Sequence, residues 1–276
     1  MSDQSRRIRS GTMVDEIYSV LREGIIDGTF APGQRLSQEQ LAGELQVSRT
    51  PLREAFQRLE RDGLLNISTN RGMHVSSLND SETEEHYALR LLVEPPTLKA
   101  LLNQISDAEI AEMFEALAEM ERVTERTRDF QAAHARFHYI ALGLYPTAIS
   151  ELIQSLHTKI YRHQRVYLSR PRNPEEFLGA DRLLLDQIVQ RDGAMVHQLL
   201  EFHLIDAALG LLLELNPDHT FGPLLLALRG AGIELEADGE GRVQRPVKLR
   251  WRRKDASSMP ALATYNVQYE PAEADG

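Results

Sequence analysis

The 276-residue sequence has no cysteine, and no run near the roughly 18 apolar residues that a membrane helix needs. Its opening MSDQSRRIRS holds no apolar stretch. Without cysteine there is no disulfide, no thiolate metal site and no cysteine nucleophile, so a bound metal must rely on histidine and carboxylate. Without an apolar span or a signal-like start, no membrane partner is expected, and the expected location is the cytoplasm. Positive charge is also scarce: 31 Lys and Arg stand against 41 Asp and Glu, a net charge of −10. Taken alone, that balance argues against nucleic-acid binding, because phosphate neutralisation is the main sequence-independent source of DNA affinity. Its placement reverses the argument. Residues 1–75 hold ten Arg against ten Asp or Glu, so this part can still present a basic face.

What is present suits an ordinary folded protein, 42% hydrophobic and 26% charged, long enough for two domains. From Thr12 to Asp27, Met13, Ile17, Val20, Leu21 and Ile25 recur at helical spacing, and Gly28 closes the segment. After the turn Ala31-Pro32-Gly33, Ser37 is expected to cap a short second helix ending near Gln46, with Gln40 as its capping-box partner. Thr50-Pro51 is expected to start a third helix, with proline at its first position. Leu52, Ala55, Phe56 and Leu59 form its inner face, and Gly63 ends it. On its outer side Arg49, Arg53 and Gln57, spaced by four, make one polar ridge. Leu65–Thr69 and Met73–Ser77 flank Asn70-Arg71-Gly72, the sequence form of a tight hairpin, which reads as a wing.

The polar stretch 78–81 reads as a linker, with Ser81 as the cap of the next helix. From Glu82 to about Pro217 the pattern is helical throughout. The expected segments are 82–103, interrupted near Pro95-Pro96, then 106–127, 129–143, 147–169, 174–191 and 193–215. Beyond Pro217, pieces such as 233–236, 247–251 and 265–269 alternate and suggest strands of a small hairpin or meander. Arg242 to Lys254 carries seven basic residues and no acidic one. The expected fold is thus mainly α. It has a flexible N-terminus (1–11), a winged helix-turn-helix (12–77), the linker, an all-α helical bundle (82–217) and a short, partly β extension (218–276).

A helix, a short turn and a second helix ridged by Arg49, Arg53 and Gln57 match the logic of major-groove reading, since Arg pairs bidentately with guanine and Gln with adenine. Ser48 and Thr50, near the helix N-terminus, suit phosphate, and Arg71 on the wing can reach the backbone or minor groove. The ordered series Pro32-Gly33-Gln34-Arg35-Leu36, Ser48-Arg49-Thr50-Pro51-Leu52-Arg53-Glu54-Ala55, Arg58-Leu59, Asp62-Gly63-Leu64-Leu65 and Arg71-Gly72 resembles the winged helix-turn-helix of GntR transcriptional regulators over residues 10–77. The resemblance implies that Arg35, Arg49, Arg53 and Arg71 touch DNA, with Ser48, Thr50 and Gly72 beside them. It also implies a repressor that binds a palindromic double-stranded operator as a homodimer.

Farther on, His134 and His138 are four apart in a helical segment, so both imidazoles lie on one face and can share a divalent cation. Phe137-His138, the segment 186–192, Phe202-His203-Leu204, and Tyr87-Ala88-Leu89-Arg90 with Glu94 resemble the FCD ligand domain of the FadR subfamily. That domain's metal set is one Asp and three His. Carried over by position, its first site, normally Asp, is His134 and its third, normally His, is Asp181; His138 and His203 keep the usual identity. The inventory is preserved and suits Zn²⁺, with Ni²⁺ or Mn²⁺ as alternatives. Arg90 resembles the position that pairs with an effector carboxylate, which implies a small hydroxy acid or sugar acid as effector. Arg162 and Arg165, with Tyr161 and His157, are candidates to line the same cavity. Two other classes stand beside this reading: a metal-dependent enzyme, disfavoured because no general base accompanies the cluster, and a DNA-binding protein without an effector.

Overall fold

The computed structural model describes residues 13–26, 28–68, 72–77, 79–168, 173–252, 264 and 266–269, apart from the side chains of 162, 163, 165–168 and 173–177. The chain divides between residues 78 and 79 into two units.

In the first unit, α1 (Met13–Ile26) buries Ile17, Leu21 and Ile25 at helical spacing. A two-residue strand, β1 (Arg35–Leu36), leads into α2 (Gln38–Glu44). Ser37 caps α2 by accepting from the Gln40 amide at 3.3 Å, but the Gln40 side chain donates to Glu44 at 2.8 Å instead of returning to the cap, so the expected capping box is half formed. Helix α3 (Arg49–Arg61) begins two residues earlier than expected, with Ser48 at its N-cap. Pro51 is therefore the third helical residue. Its missing N–H still falls among the first four amides, which have no partner within the helix. Leu52, Ala55, Phe56 and Leu59 form the buried face and pack with α1. The wing strands β2 (Leu65–Ser68) and β3 (Gly72–Val75) pair antiparallel, and β1 adds on the far side of β3, with Leu36 opposite Met73. The third strand was not legible, because two residues carry no period.

In the second unit, α4 (Asp80–Leu101) is capped by Asn79, whose side chain accepts from the Ser81 and Glu82 amides, so the cap is Asn79 and not Ser81. The helix continues through Pro95 and Pro96, correcting the expected interruption. Tyr87, Leu91 and Leu98 anchor it in the core on both sides of the proline pair. Burial of that stripe outweighs the local proline penalty of about 3 kcal/mol. A 3₁₀ turn (Leu102–Gln104) and the Ser106–Glu109 capping box lead to α5 (Asp107–Arg122), followed by α6 (Thr127–Leu142), α7 (Thr147–Leu168) and α8 (Asn173–Gln190).

Helix α9 (Gly193–Leu215) is apolar on nearly every side. Although no uninterrupted apolar run marks it in the sequence, it is long and apolar enough to cross a membrane by length and composition. Yet 94% of its most apolar stretch is buried in the unit, the setting of a central core helix. A tenth helix, α10 (Pro223–Gly230), follows, a segment the sequence pattern left unassigned. Then come β4 (Ile233–Leu235), β5 (Val247–Trp251) and β6 (Val267–Tyr269). β4 pairs antiparallel with β5, as a hairpin does, but β5 and β6 are parallel, so the sheet does not continue as a meander. Its apolar residues Val247, Leu249, Trp251 and Val267 share one core with the helices.

Candidate functional site

The first unit places Arg49, Arg53 and Gln57 on the exposed face of α3, opposite the buried stripe. Ser48 and Thr50 are exposed at its N-terminal end. A groove of about 740 Å³ lies between this helix and the small sheet, and Arg35, Arg53, Gln57 and Gly72 all line it. Gly72 has φ +77°, a left-handed conformation suited to glycine. A Cβ there would sit 3.5 Å from the Arg35 Nε, an ordinary van der Waals contact, so the backbone conformation and not lack of space calls for glycine. Arg71 lies outside the described residues. Sequence reasoning missed Glu39, on α2, whose carboxylate accepts from the Arg49 guanidinium at 2.9 Å while both side chains remain exposed. Arg49 is thereby tied to α2, and the Gln38 side chain donates to the Arg49 carbonyl at 3.1 Å.

In the second unit, α6 supplies His134 and His138 from successive turns of one face, α8 supplies Asp181 and α9 supplies His203. All four are buried, Asp181 completely. The Nε2 atoms of His134 and His138 are 3.1 Å apart. Asp181 lies 3.4 Å from His134 Nε2, 3.3 Å from His138 Nε2 and 3.7 Å from His203 Nδ1. One ligand atom from each residue lies within 4.8 Å of all the others.

Burial pushes all three imidazoles down, His138 to about 3, His203 to about 4 and His134 well below its ordinary value, so each ring is in the neutral, metal-ligating form. Burial pushes the Asp181 carboxyl up, and neither of its oxygens has a hydrogen-bond partner. A fully buried carboxylate without donors is expensive, and a divalent cation removes the expense. Donor atoms about 2.1 Å from a metal lie roughly 3 to 3.5 Å from one another. The separations within His134, His138 and Asp181 and from Asp181 to His203 are close to that, and the widest pair, within 4.8 Å, closes by a small side-chain movement, so the residues fit a cation.

Arg90, on α4, is 3% exposed and already holds a carboxylate. Its Nε donates to Glu94 Oε1 at 2.5 Å, and its guanidinium stands over the Tyr87 ring at 5.4 Å. Burial works to raise the Glu94 carboxyl, but the Arg90 charge and the His157 ring, 3.7 Å away, outweigh it and hold Glu94 below the usual carboxylate range. The Arg90 charge also helps to push down His138 and His203, so the ion pair lies within electrostatic reach of the cluster. Tyr161 is half-buried, with its carbonyl accepting from Gln131 at 2.7 Å. The side chains of Arg162 and Arg165 lie outside the described residues. The FCD resemblance groups Glu94 with Arg90, and the i, i+4 spacing is the local signal for their pairing.

Residues 13–75 match the family described as bacterial regulatory proteins, gntR family, and residues 85–206 match the FCD domain. The chain is 26% identical over 195 residues to the HTH-type transcriptional regulator YdhC of Bacillus subtilis (strain 168), covering 68% of this chain and 87% of that protein. It is 24% identical over 192 residues to the HTH-type transcriptional repressor RspR of Escherichia coli (strain K12), covering 68% and 84%. A GntR transcriptional regulator from Rhodococcus sp. RHA1 is similar in structure, with a TM-score of 0.63 at 29% identity over 73% of this chain and 98% of that one. E. coli McbR/YncC has the same fold, with a TM-score of 0.62 at 21% identity over 74% and 99%.

Proposed function

Because the chain belongs to the gntR family of bacterial regulatory proteins and carries the FCD domain of its FadR-like members, we propose that it is a repressor whose hold on operator DNA is set by a small carboxylate bound beside a metal. The chain is a DNA-binding transcriptional regulator, not an enzyme. Repression is the sense favoured, in line with the name of the E. coli relative. The protein works in the cytoplasm as a homodimer on a palindromic operator.

Arg49, Arg53 and Gln57 are assigned to base edges in the major groove, where each bidentate pair is worth about 1–3 kcal/mol of discrimination. Ser48, Thr50, Arg35 and Arg71 are assigned to the backbone and the wing contact, with Gly72 at the positive-φ start of β3 beside Arg35. His134, His138, Asp181 and His203 would hold Zn²⁺, with Ni²⁺ or Mn²⁺ as alternatives. When bound, the ion neutralises Asp181 and offers open positions to an effector oxygen. One observation carries this reading: a completely buried carboxylate, without a hydrogen bond, faces three neutral imidazoles.

Arg90 is assigned to the effector carboxylate. Since Glu94 occupies its guanidinium, an incoming carboxylate must share or displace that partner. A hydroxy acid or sugar acid suits such a site, because it brings a second oxygen for the metal. Coupling to DNA of about 1–3 kcal/mol, a 5- to 150-fold change in operator affinity, is enough for control.

The test has two parts. Metal content is measured in the purified protein and after chelation and reloading. Affinity for a duplex selected from a random library is then measured with and without hydroxy acids and sugar acids. Bound metal and an acid-dependent change of at least several-fold are expected. If operator affinity is indifferent to every acid and metal, the protein is an effector-independent DNA binder.

A further inference from the structure

The FCD match ends at residue 206, and the chain then adds α10 and β4–β6. We propose that this C-terminal segment is a brace that fixes the His203 portion of α9 against α4. Its bearing on metal affinity rests on the metal reading above; its bearing on α9 does not.

The ties are buried and specific. On α4, the Glu84 carboxylate is 2% exposed, and its Oε1 accepts from the Gly222 and Leu224 amides at 2.8 Å each, which caps α10 from another helix. Its Oε2 meets His219 Nε2 at 3.0 Å. On α9, the Trp251 indole donates to Glu201 at 2.7 Å, Thr264 donates to Asp206, and Arg245 pairs with Glu214 at 3.7 Å. Glu201 is two residues before His203, and Asp206 is three after it. Both carboxylates are almost completely buried, where a lost donor is costly, so these contacts resist rotation or sliding of the helix at both flanks of the ligand. Groups that hydrogen-bond a metal ligand commonly change metal affinity 10- to 100-fold, and contacts that hold the ligand's own turn of helix act on the same geometry one step removed.

Trp251 is the chain's one tryptophan, so its emission reports on this joint directly. The experiment compares the full-length parent with Trp251→Phe/Thr264→Val, which removes both donors and keeps apolar bulk, and with Glu201→Gln, which keeps an acceptor for the indole. Thr264→Val alone serves if the double variant does not fold. Circular dichroism first establishes that the helical content is unchanged. Zn²⁺ affinity is then measured by competition with a chromophoric chelator, and amide hydrogen exchange is followed in α9 of the metal-free protein.

The expected result is a loss of Zn²⁺ affinity of up to about tenfold in the double variant, near-parental affinity in Glu201→Gln, and faster exchange around residues 199–207. A Zn²⁺-dependent change in the parent's tryptophan emission is also expected. Equal Zn²⁺ affinity and equal α9 exchange in parent and double variant would overturn the brace. If the parent binds no metal, the metal reading fails, and the exchange comparison decides the brace: faster exchange in the variant upholds it, and unchanged exchange overturns it.

Discussion

Arg53 and Gln57 line the groove beside the wing, whereas Arg49 stands apart, bridged to Glu39. These different settings predict different behaviour. Arg53→Ala should remove a base contact outright and reduce discrimination between selected and random duplexes by about 1–3 kcal/mol, read by competition anisotropy at fixed salt. Glu39→Gln should act in the opposite sense on bulk affinity, because a carboxylate near phosphates repels them, while freeing Arg49 to swing and blurring its base preference. An Arg53→Ala protein that still prefers its selected duplex by the parental margin would remove this residue from the reading set. Inside the second unit, Glu94→Gln leaves the buried Arg90 charge without its counter-charge, and unpaired buried charges typically cost about 3–5 kcal/mol. Urea unfolding should show a loss of that order. A small carboxylate should then recover part of it by taking the vacated place, and parental stability in Glu94→Gln would mean that Arg90 leans on other groups.

Helix α4 carries a proline pair across its middle, and each proline removes one backbone donor from the ladder. Pro95 is buried but Pro96 is exposed, so the two are not equivalent. Pro96→Ala should restore an amide facing the Leu92 carbonyl and stabilise the unit by about 1 kcal/mol or more, measured as a higher denaturation midpoint at unchanged slope. A lower midpoint would instead mean that the interrupted ladder gives α4 the shape that seats Arg90 and Glu94. At this scale most helices were legible from period, as the expected segment 106–127 against the observed Asp107–Arg122 illustrates. The misreadings have local causes. Asn79, Asp80 and Ser81 are all competent caps, so the sequence does not choose among them. Sequence reasoning missed α10, which is short, although Pro223 at its first position is a start signal; the group that satisfies its N-terminus, Glu84, lies some 138 residues earlier. The parallel pairing of β5 and β6 is likewise a long-range choice. His134 and His138 were legible by spacing, whereas Asp181 and His203 sit on other helices and came only through family resemblance.

The second unit buries His134, His138, His157 and His203 in their uncharged form, and that makes its stability depend on pH. Burial holds His138 at about 3 and His203 at about 4, and lowers His134 and His157 as well, while free imidazoles titrate near 6.5. Between pH 6.5 and about 4 the unfolded chain therefore binds protons that the folded, metal-free unit does not. Stability must fall as pH falls through that window. For His138 and His203 the loss at pH 5 is about 2 kcal/mol each. Asp181 works the other way, because its folded carboxyl is raised, and so offsets part of the loss toward the acid end. Zn²⁺ at about a hundred times its dissociation constant should add roughly 2.7 kcal/mol near pH 7.5. That gain should shrink as protons compete for the same nitrogens. Denaturation midpoints of the metal-free and zinc-loaded protein at pH 7.5, 6 and 5 test both parts. The metal-free midpoint should drop steadily, and the two sets should converge toward pH 5. A midpoint independent of pH would show that these imidazoles are not buried neutral, and the cluster could not then be a preformed cation site.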